Sequence, residues 1–472
     1  MTAHCSAWFT VTLCLSAAFS GIASAAPPNV VFLFSDDQQA ATLSAYGHPD
    51  VKTPHLDSLV KRGCSFRRTY IQGSDQPAVC VPSRAAMLTG KGLWQKPGNF
   101  GPEHVTWIEA FRKQGYATHG IGKWHNGPPS YVRAFSSGDN MFFGGMQDHF
   151  GMKLWEFNPE GKYPPNLATP REGHSSTLFA DAAIDFLQHH PREQPFCLYL
   201  AFSAPHDPRT PPSEFRKMYE PAKLTLPPNL APQHPFNNGE LTIRDEMLAG
   251  WPRTPEVLRE HLADYYGMIS HMDAEIGRVL AELNRLELAE NTIVVFAADN
   301  GLALGQHGLL GKQNLYEHSV KVPLVVALPK EPQPGRQVSS LNYLFDIGPT
   351  LCELAGVNTP PGMTGRSLVP QLRGNSTAEP RESVLTAYRD GQRAVVTERW
   401  KLMRYPRVDR TQLFDLESDP WEMRDLAAKA EQATRVTELR GTLESLQMEW
   451  GDKLTWTSPE RDVEQVELPP KR

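Results

Sequence analysis

The sequence predicts an α/β fold, in which a mostly parallel central sheet covered by helices precedes a smaller region with an antiparallel sheet and a helix. Short apolar runs rich in β-branched and aromatic residues, typical of strands buried on both faces, occur at residues 29–34, 116–122, 196–202 and 292–298. Segments with helical periodicity occur at residues 54–62, 107–114, 176–189 and 262–284. Strands that alternate with helices indicate a mostly parallel sheet.

Length and composition are those of a globular chain. The 472 residues, 40% hydrophobic and 21% charged, are enough for one large domain and a smaller one. The net charge of −6 gives no indication of binding to nucleic acid, and we expect none. An anionic substrate would therefore need a local cluster of basic residues.

The N-terminus has the pattern of a secretory signal peptide. Residues 1–25 contain no Asp, Glu, Lys or Arg, residues 7–22 are largely apolar, and residues 23–25 read Ala-Ser-Ala, a small-residue cleavage pattern. We expect cleavage after residue 25 and an exported protein, periplasmic or secreted. The alternative is a membrane anchor, for which the apolar stretch is short. No later segment is long and apolar enough to cross a membrane, so we expect no span after signal removal.

The cysteines do not form the framework of a disulfide-rich protein. Two of the six lie within residues 1–25 and would leave with the signal peptide. Cys64, Cys197 and Cys352 have apolar neighbours, which predicts that they are buried in the core. Cys80 is different, because turn-forming and polar residues flank it.

The C-terminal part of the chain predicts a small antiparallel sheet with a helix. Strand-like segments occur at residues 384–388, 394–398, 401–405 and 412–416, and a helical segment covers residues 423–449. Residues 389–392 read Arg-Asp-Gly-Gln, typical of a hairpin turn. We therefore assign a main domain to residues 26–370 and a smaller one to residues 371–472. The smaller domain would be a structural cap, with the alternative that one of its loops reaches a site on the main domain.

Polar side chains follow the predicted strands where each apolar run ends. They are Asp36 and Asp37 after the first run, Lys123 and His125 after the second, His206 after the third, and Asp299 and Asn300 after the fourth. The carboxyl ends of parallel strands meet at one edge of a sheet, where ligands of α/β folds bind. We therefore expect these side chains to form one site.

Two of these sets offer oxygen ligands. The carboxylates of Asp36, Asp37 and Asp299 and the amide of Asn300 suit a hard divalent cation, Ca²⁺ or Mg²⁺. The alternative for each set alone is a solvated turn.

The other two sets, together with Lys312, are positive or can take up a proton. Lys123, His125, His206 and Lys312 suit an anion whose oxygens need neutralising, such as sulfate or phosphate. Each histidine taken alone would equally be a buried side chain with its hydrogen bonds satisfied.

Residues 80–90 read CVPSRAAMLTG and predict a helix whose first turn contains Pro82. The N–H groups at such a helix start favour anions, and Arg84 adds a fixed positive charge beside Cys80. The alternative is a loop that enters a helix, with Cys80 as a small buried side chain.

Long motifs in this chain resemble the sulfatase family. CVPSRAAMLTG at residues 80–90 matches its signature, and GYATHGIGKWH at residues 115–125 matches its second signature. DNGLALGQHGLLGKQNLYEHSVKVPL at residues 299–324 and QLFDLESDPWE at residues 412–422 are similar to its late metal and lysine block and its C-terminal pattern. The chain is therefore identified as resembling type I sulfatases of the alkaline phosphatase superfamily. That resemblance implies an alkaline-phosphatase-like α/β/α sandwich.

The resemblance also implies that Cys80 is converted to 3-oxoalanine (formylglycine) by a formylglycine-generating maturation enzyme that reads Pro82 and Arg84. In this family one hydroxyl of the hydrated aldehyde attacks sulfur and releases the alcohol. The second hydroxyl then loses its proton and expels sulfate, so one difficult step is divided into two. Without the maturation enzyme Cys80 would remain a thiol, and we expect almost no activity.

The family's residue roles carry over to matching positions of this sequence. The metal ligands would be Asp36, Asp37, Asp299, Asn300 and the modified Cys80. Arg84 would stabilise the hydrated aldehyde, Lys123 would support it and the sulfate, and Lys312 would contact a sulfate oxygen. His125 would take the second proton.

Two histidines compete for the role of general acid. His206 would contact the sulfate and protonate the leaving oxygen, and His307, within Gly-Gln-His-Gly, is the rival. The acid must lie within hydrogen-bond reach of the leaving oxygen. Alanine at each histidine, tested on activated and unactivated esters, would decide between them.

The resemblance implies a sulfatase, and the predicted signal peptide makes it an exported one, for which we expect a sulfated saccharide as substrate. Residues 126–175, with Arg133, His149 and Trp155, and residues 207–258 are long segments that would either shape a sugar-binding pocket or pack on themselves. One alternative is a phosphonate monoester or phosphodiester hydrolase of the same fold. The other is an exported binding protein, which should lack some of the metal or nucleophile positions, whereas all are present here.

Overall fold

The computed structural model describes residues 1–2, 26–96, 98, 100–374 and 379–455. The predicted signal peptide therefore lies outside the described residues except for its first two. No helix in the described ranges has the length and apolar character needed to cross a membrane.

The strands and helices follow one another along the whole described chain. The strands are β1 (Asn29–Ser35), β2 (Cys64–Phe66), β3 (Thr69–Tyr70), β4 (Gly73–Ser74), β5 (Ala117–Lys123), β6 (Ser137–Phe142), β7 (Lys153–Leu154), β8 (Thr169–Pro170), β9 (Phe196–Ala201), β10 (Thr292–Ala298), β11 (Lys321–Val322), β12 (Leu324–Ala327), β13 (Arg336–Val338), β14 (Asn342–Tyr343), β15 (Ser383–Tyr388), β16 (Gln392–Thr397), β17 (Trp400–Tyr405) and β18 (Arg410–Asp415). The helices are α1 (Pro54–Arg62), α2 (Cys80–Thr89), α3 (Trp107–Lys113), α4 (Pro128–Ala134), α5 (Ser175–His189), α6 (Ser213–Arg216), α7 (Pro255–Arg285), α8 (Glu317–Val320), α9 (Ile347–Ala355), α10 (Val369–Leu372) and α11 (Ala433–Trp450).

The main sheet has the strand order β13-β2-β12-β10-β1-β9-β5-β6 within the described residues. The pairs from β10 through β1, β9 and β5 to β6 are all parallel. β12 runs antiparallel to both of its neighbours, β10 and β2. The sheet is thus mostly parallel, which confirms the prediction, and β1 lies at its centre.

Strand β1 divides the interior into two cores. Val30, Phe32 and Phe34 belong to one buried hydrophobic cluster, whereas Val31 and Leu33 belong to the other. Successive side chains of a strand point to opposite faces of the sheet, so β1 is buried on both. Side chains of α1, α5 and α7 contribute to the second cluster, and side chains of α2, α3 and α9 contribute to the first. Two helical layers therefore enclose the sheet, as in the predicted α/β/α sandwich.

The structure corrects the assignment of several segments. Residues 126–175, whose Gly, Pro and aromatic content predicts a loop-like segment, contain α4 and β6, and β6 forms an edge of the main sheet. An edge strand stays partly exposed, so its sequence SGDNMF lacks a continuous apolar run. Helix α7 begins at Pro255, before the predicted residue 262, because Thr254 caps it by accepting a hydrogen bond from the backbone N–H of Val257. Helix α11 begins at Ala433, later than the predicted residue 423.

A second sheet, in the C-terminal part, has the order β18-β17-β16-β15-β4. The pairs from β15 to β18 are antiparallel, as predicted, and α11 packs on this sheet. β4 comes from the N-terminal half of the chain and pairs parallel with the end of β15. Since β4 directly precedes the segment that leads into α2, this sheet is attached to the region of Cys80.

The cysteines predicted to be structural lie in the core. Cys64, Cys197 and Cys352 are buried and unpaired, which confirms that prediction. Cys80 is also buried, but it lies at the start of α2 and lines a pocket.

Candidate active site

The loops after β1 and β10 bring acidic side chains together at the carboxyl edge of the sheet. Asp36, Asp37, Asp299 and Asn300 follow two neighbouring parallel strands and are all buried. The backbone N–H of Asp37 donates to Oδ1 of Asp299 at 3.0 Å, and Nδ2 of Asn300 donates to Oδ1 of Asp37 at 2.7 Å. The two strand ends are thus joined by their own functional side chains.

This cluster has the donor set of a metal site. Potential ligand atoms of Asp36, Cys80 and Asp299 all lie within 4.8 Å of one another. Oδ1 of Asp36 and Oδ1 of Asn300 are buried and have no hydrogen-bond partner among the described residues. Because buried polar atoms normally have partners, and because carboxylate and amide oxygens suit hard cations, these residues fit a divalent cation.

Arg84 stabilises the acidic cluster from α2. It is fully buried, its Nε donates to Oδ2 of Asp299 at 2.7 Å, and one of its terminal nitrogens donates to the backbone oxygen of Lys123 at 2.9 Å. Burial and the neighbouring Asp36 nevertheless raise the pKa of Asp299 to about 7. A bound divalent cation would offset this repulsion between the carboxylates.

Two lysines lie against the other carboxylates. Nζ of Lys123 donates to the carboxylate of Asp36 and to the backbone oxygen of Gly145. Nζ of Lys312 donates to both carboxylate oxygens of Asp37, at 2.7 and 2.9 Å. Burial favours the protonated carboxyl, yet His206 and Lys312 hold the pKa of Asp37 below its usual value. The site therefore contains buried positive charges close to its metal-type ligands.

Cys80 and His125 face each other across this cluster. Sγ of Cys80, the first residue of α2, lies 3.2 Å from Nδ1 of His125. Burial raises the pKa of the Cys80 thiol above its usual value, although Lys123 opposes this. Burial and the charge of Lys123 lower the pKa of His125 to about 2. Residue 80 thus has an uncharged imidazole within hydrogen-bond reach.

His206 approaches from the loop after β9. Its Nε2 lies 3.5 Å from Oδ2 of Asp37, and its Nδ1 lies 2.7 Å from the backbone oxygen of Asp207, to which an Nδ1–H would donate. Nε2 of His149 lies 3.0 Å from the backbone oxygen of His206. Burial, opposed by Asp37, lowers the pKa of His206 to about 4. The His206 ring therefore lies between Asp37 and the backbone of Asp207, and its own backbone oxygen is bound by His149.

A pocket of about 300 Å³ gives access to these residues. It is lined by Pro77, Ala78, Cys80, His125, Gly145, Met146, His206, Ile243, Arg244, Asp245, Lys312, Gln313 and Tyr388. Both long segments named from the sequence contribute to it, and Tyr388 reaches it from the end of β15. The sequence gives no residue-level signal for Arg244, Asp245 or Tyr388, since none of them follows a strand of the main sheet.

Several residues named from the sequence are not brought to this pocket. The ring of His307 stacks on Tyr316 with centroids 3.8 Å apart, and its Nε2 lies 3.0 Å from Nδ2 of Asn229. Arg133 instead donates to the backbone of Gly101, and Trp155 donates to the backbone of Pro164. None of these three, His307, Arg133 and Trp155, is among the described residues that line the pocket.

Comparison with protein families gives two matches. The family described as Sulfatase matches residues 28–357, which is more than half of the chain. The family described as N-sulphoglucosamine sulphohydrolase, C-terminal, matches residues 305–449. The two matches overlap and together cover both sheets.

Curated relatives are similar over most of the chain. An N-acetylglucosamine-6-O-sulfatase of Bacteroides thetaiotaomicron is 26% identical over 501 residues, which cover 90% of this chain and 87% of the relative. An ulvan-active sulfatase of Formosa agariphila is 28% identical over 451 residues, covering 90% of this chain and 82% of the relative.

Solved structures share the fold. A protein in complex with its substrate D-glucosamine-2-N,6-O-disulfate superposes with a TM-score of 0.75 at 24% identity, covering 90% of this chain and 99% of that one. The phosphonate monoester hydrolase of Agrobacterium radiobacter superposes with a TM-score of 0.70 at 24% identity, covering 90% and 96%. The fold is therefore common to enzymes that act on different esters.

Proposed function

The chain belongs to the sulfatase family, and we propose that it removes sulfate from a sulfated saccharide with Cys80, converted to formylglycine, as its nucleophile. Hydrolysis of sulfuric esters is the activity that family membership gives. The proposal that Cys80 becomes the nucleophile is supported by its position, since it lines the pocket beside the acidic cluster and His125.

The thiol itself is poorly suited to attack. Burial holds the pKa of Cys80 above its usual value, so the thiolate, which is the reactive form, is scarce at neutral pH. Conversion to the hydrated aldehyde would supply hydroxyl groups for attack and for the release of sulfate. His125, 3.2 Å from the sulfur, would take up the proton of the second hydroxyl.

The metal ligands would be Asp36, Asp37, Asp299 and Asn300, and the side chain at residue 80 would complete the set. The three aspartates and the asparagine offer only oxygen atoms as ligands, which favours Ca²⁺, with Mg²⁺ as the alternative. The cation would supply Lewis-acid activation of the attacking oxygen.

The remaining groups would bind and protonate the substrate. Lys312 lines the pocket and would bind a sulfate oxygen, and Lys123 would support both the sulfate and residue 80. Arg84, buried against Asp299, would act by holding residue 80 and the acidic cluster in position. His206 lines the pocket and would protonate the leaving oxygen, whereas His307 is held on Tyr316 outside it.

A saccharide substrate is supported by what the relatives act on. The curated relatives include an N-acetylglucosamine-6-O-sulfatase and an ulvan-active sulfatase. The pocket, at about 300 Å³, is at the lower end of the usual size range of small-molecule sites. We therefore expect a single sulfated ring to occupy it.

The domain and export assignments complete the proposal. Residues 1–25 would be a signal peptide, and the mature protein would act in the periplasm or outside the cell. Residues 26–370 would form the catalytic domain and residues 371–472 the smaller one, which contributes Tyr388 to the pocket. N-terminal sequencing of the protein recovered from its own cell's exterior or periplasm tests the cleavage site.

The test of the activity uses protein co-produced with a formylglycine-generating enzyme, with Cys80→Ala as the matched variant. Sulfate release is measured from sulfated monosaccharides and an aryl sulfate, with phosphonate and phosphate esters as controls. We expect sulfate release that Cys80→Ala abolishes. Release of phosphonate or phosphate alone, with the aldehyde verified at residue 80 by peptide mass, would instead favour the phosphonate hydrolase alternative that shares the fold.

A further inference from the structure

Two of the described residues that line the pocket, Lys312 and Arg244, carry a positive charge, and Lys312 is bound to Asp37. The side chain of Arg244 is 46% exposed. Ile243, Met146 and Tyr388 supply largely apolar surface beside it. The environment of Arg244 therefore decides which charges a bound substrate meets beyond its reacting sulfate.

Arg244 is already paired with two carboxylates. Both of its terminal nitrogens donate to the carboxylate of Asp207, one of them at 3.0 Å, and one lies 2.6 Å from Oδ1 of Asp245. The carboxyl side chains are only 9% and 10% exposed. Although burial favours the neutral acid, the hydrogen bond from Arg244 lowers the pKa of Asp207 to about 2. This two-pronged pairing with a carboxylate is a strong contact.

The carboxylate of Asp245 also accepts a hydrogen bond on the side away from Arg244. Nε2 of Gln313 donates to Oδ2 of Asp245 at 2.9 Å, and both residues line the pocket. One guanidinium is thus shared by two carboxylates, on which Arg209 and Lys312 also act electrostatically. The wall presents no unpaired cation among the described lining residues for a second anionic group of the substrate.

A second sulfate that took both terminal nitrogens of Arg244 would displace Asp207. Asp207 would then be left buried and unpaired, which is costly. Its backbone oxygen accepts from Nδ1 of His206, and its Oδ1 lies 3.4 Å from the same nitrogen. Displacement would therefore disturb the residue proposed as the general acid.

From this arrangement we infer that the pocket selects singly sulfated substrates whose remaining part carries no negative charge, and that Asp245 and the paired Arg244 are the residues that determine this preference. The inference rests on the proposed sulfatase function and narrows its substrate class. An additional sulfate or carboxylate near the ester would meet the carboxylate of Asp245 beside an Arg244 whose terminal nitrogens are already paired. Such like-charge contacts are a common means of rejecting a competing ligand.

The experiment compares matched substrates on the mature wild-type enzyme. One pair is 4-(methoxycarbonyl)phenyl sulfate and 4-carboxyphenyl sulfate, and the other is N-acetylglucosamine 6-sulfate and glucosamine 2-N,6-O-disulfate. We expect kcat/KM to be about tenfold or more higher for the member of each pair without the extra negative charge, equivalent to about 1.4 kcal/mol or more. Raising the salt concentration should reduce the difference only in part, because the carboxylate of Asp245 is 10% exposed and partly buried charges are screened less than exposed ones.

Asp245→Asn removes one carboxylate while keeping the size of the side chain. We expect the ratio between neutral and anionic substrates to fall several-fold in this variant. Glu438→Gln is the matched control, since Glu438 pairs with Arg435 at 2.9 Å on α11 and does not line the pocket. Its ratio should equal that of the wild type. If Asp245→Asn does not fold, the wild-type ratios and their salt dependence carry the test.

The outcomes separate this inference from the proposed function. Sulfate release from both members of each pair with equal efficiency, or with preference for the anionic one, would overturn the inference and leave the sulfatase assignment intact. A ratio unchanged in a folded Asp245→Asn variant would overturn the role of Asp245. No sulfate release from any substrate, with the aldehyde present at residue 80, would overturn the proposed function and this inference with it.

Discussion

The sulfur of Cys80 lies 3.2 Å from Nδ1 of His125, although the two residues come from different elements. Cys80 is the first residue of α2, and His125 follows β5 with a positive φ of 62°. Histidine adopts this left-handed backbone conformation more readily than bulky residues do. The loop thus turns the ring toward residue 80, where burial and Lys123 keep it uncharged.

Replacement of His125 by alanine should reduce turnover without preventing folding. The neutral ring is placed to accept a proton from residue 80, and a general base contributes about 10²- to 10⁴-fold to rate. We expect kcat on an aryl sulfate to fall by that factor, measured on protein whose aldehyde at residue 80 has been quantified. His119→Ala, within β5 and paired with Asp139, is the control. A loss of less than tenfold for His125→Ala would contradict the assignment.

Replacement of His206 should impair esters with poor leaving groups most. A general acid matters little when the leaving alcohol is already acidic, as in an activated aryl sulfate. We expect His206→Ala to lose about 10²-fold or more kcat/KM on a saccharide sulfate relative to the aryl ester. His307→Ala, outside the pocket, should affect the two substrates equally. The opposite pattern would make His307 the acid.

The main strands could be predicted from sequence because they are buried on both faces. β1 and β10 are long enough for a continuous apolar run to be recognised. β2, β12 and β13 also belong to the main sheet, but each has only three or four residues, too few for a pattern. Their pairing depends on the tertiary fold, so local sequence does not reveal it.

The inner part of the site was predictable and the outer part was not. Asp36 and Asp299 follow neighbouring parallel strands, so topology alone brings them together. His307 lies in the same loop after β10 as Asp299, but this loop turns away from the pocket and stacks the His307 ring on Tyr316. Tyr388 enters the pocket because β15 pairs with β4, a contact between distant parts of the chain that no local pattern encodes.

Removal of Arg84 should destabilise the protein strongly. Arg84 is buried against Asp299, and a buried carboxylate left without its partner costs about 3–5 kcal/mol. We expect Arg84→Met to lose free energy of unfolding of this size in urea denaturation. The measurement uses protein made without the maturation enzyme, so that the modification does not differ between variants. Lys162→Ala, which removes an exposed ion pair with Glu160, should lose less than about 1 kcal/mol.

Removal of divalent cations should lower the melting temperature. Oδ1 of Asp36 and Oδ1 of Asn300 accept no hydrogen bond from the described residues, so a cation would satisfy both. Ca²⁺ at 100 times its dissociation constant would add about 2.7 kcal/mol to stability. We expect a chelator to lower Tm, Ca²⁺ to restore it, and Asp36→Asn to lose most of the response. Asp139→Asn, at a carboxylate 45% exposed, is the control. An equal Ca²⁺ response in both variants would exclude the proposed site.

The last prediction concerns stability in acid and the buried histidines His149, His174 and His271. The His174 ring lies between the other two, with centroids 5.1 Å from His149 and 4.4 Å from His271. Its Nδ1 accepts a hydrogen bond from the backbone N–H of Ser176 and so caps α5. Burial and the neighbouring His149 lower the pKa of His174 to about 2. The folded protein therefore keeps this ring neutral under mildly acidic conditions.

A lowered histidine pKa makes the folded state less stable as pH falls. In the unfolded chain a histidine binds a proton below about pH 6.5, while folded His174 does not, so each such group costs about 1.4 kcal/mol per pH unit below 6.5. His174→Asn keeps a capping oxygen and takes up no proton. We expect the loss of unfolding free energy between pH 7 and pH 5 to be about 2 kcal/mol smaller in this variant, as measured by urea denaturation. His189→Asn, at the exposed last residue of α5, should behave as the wild type does. If His174→Asn loses stability as steeply as the wild type, the acid sensitivity lies elsewhere, because the proton uptake of His174 on unfolding would then be too small to matter.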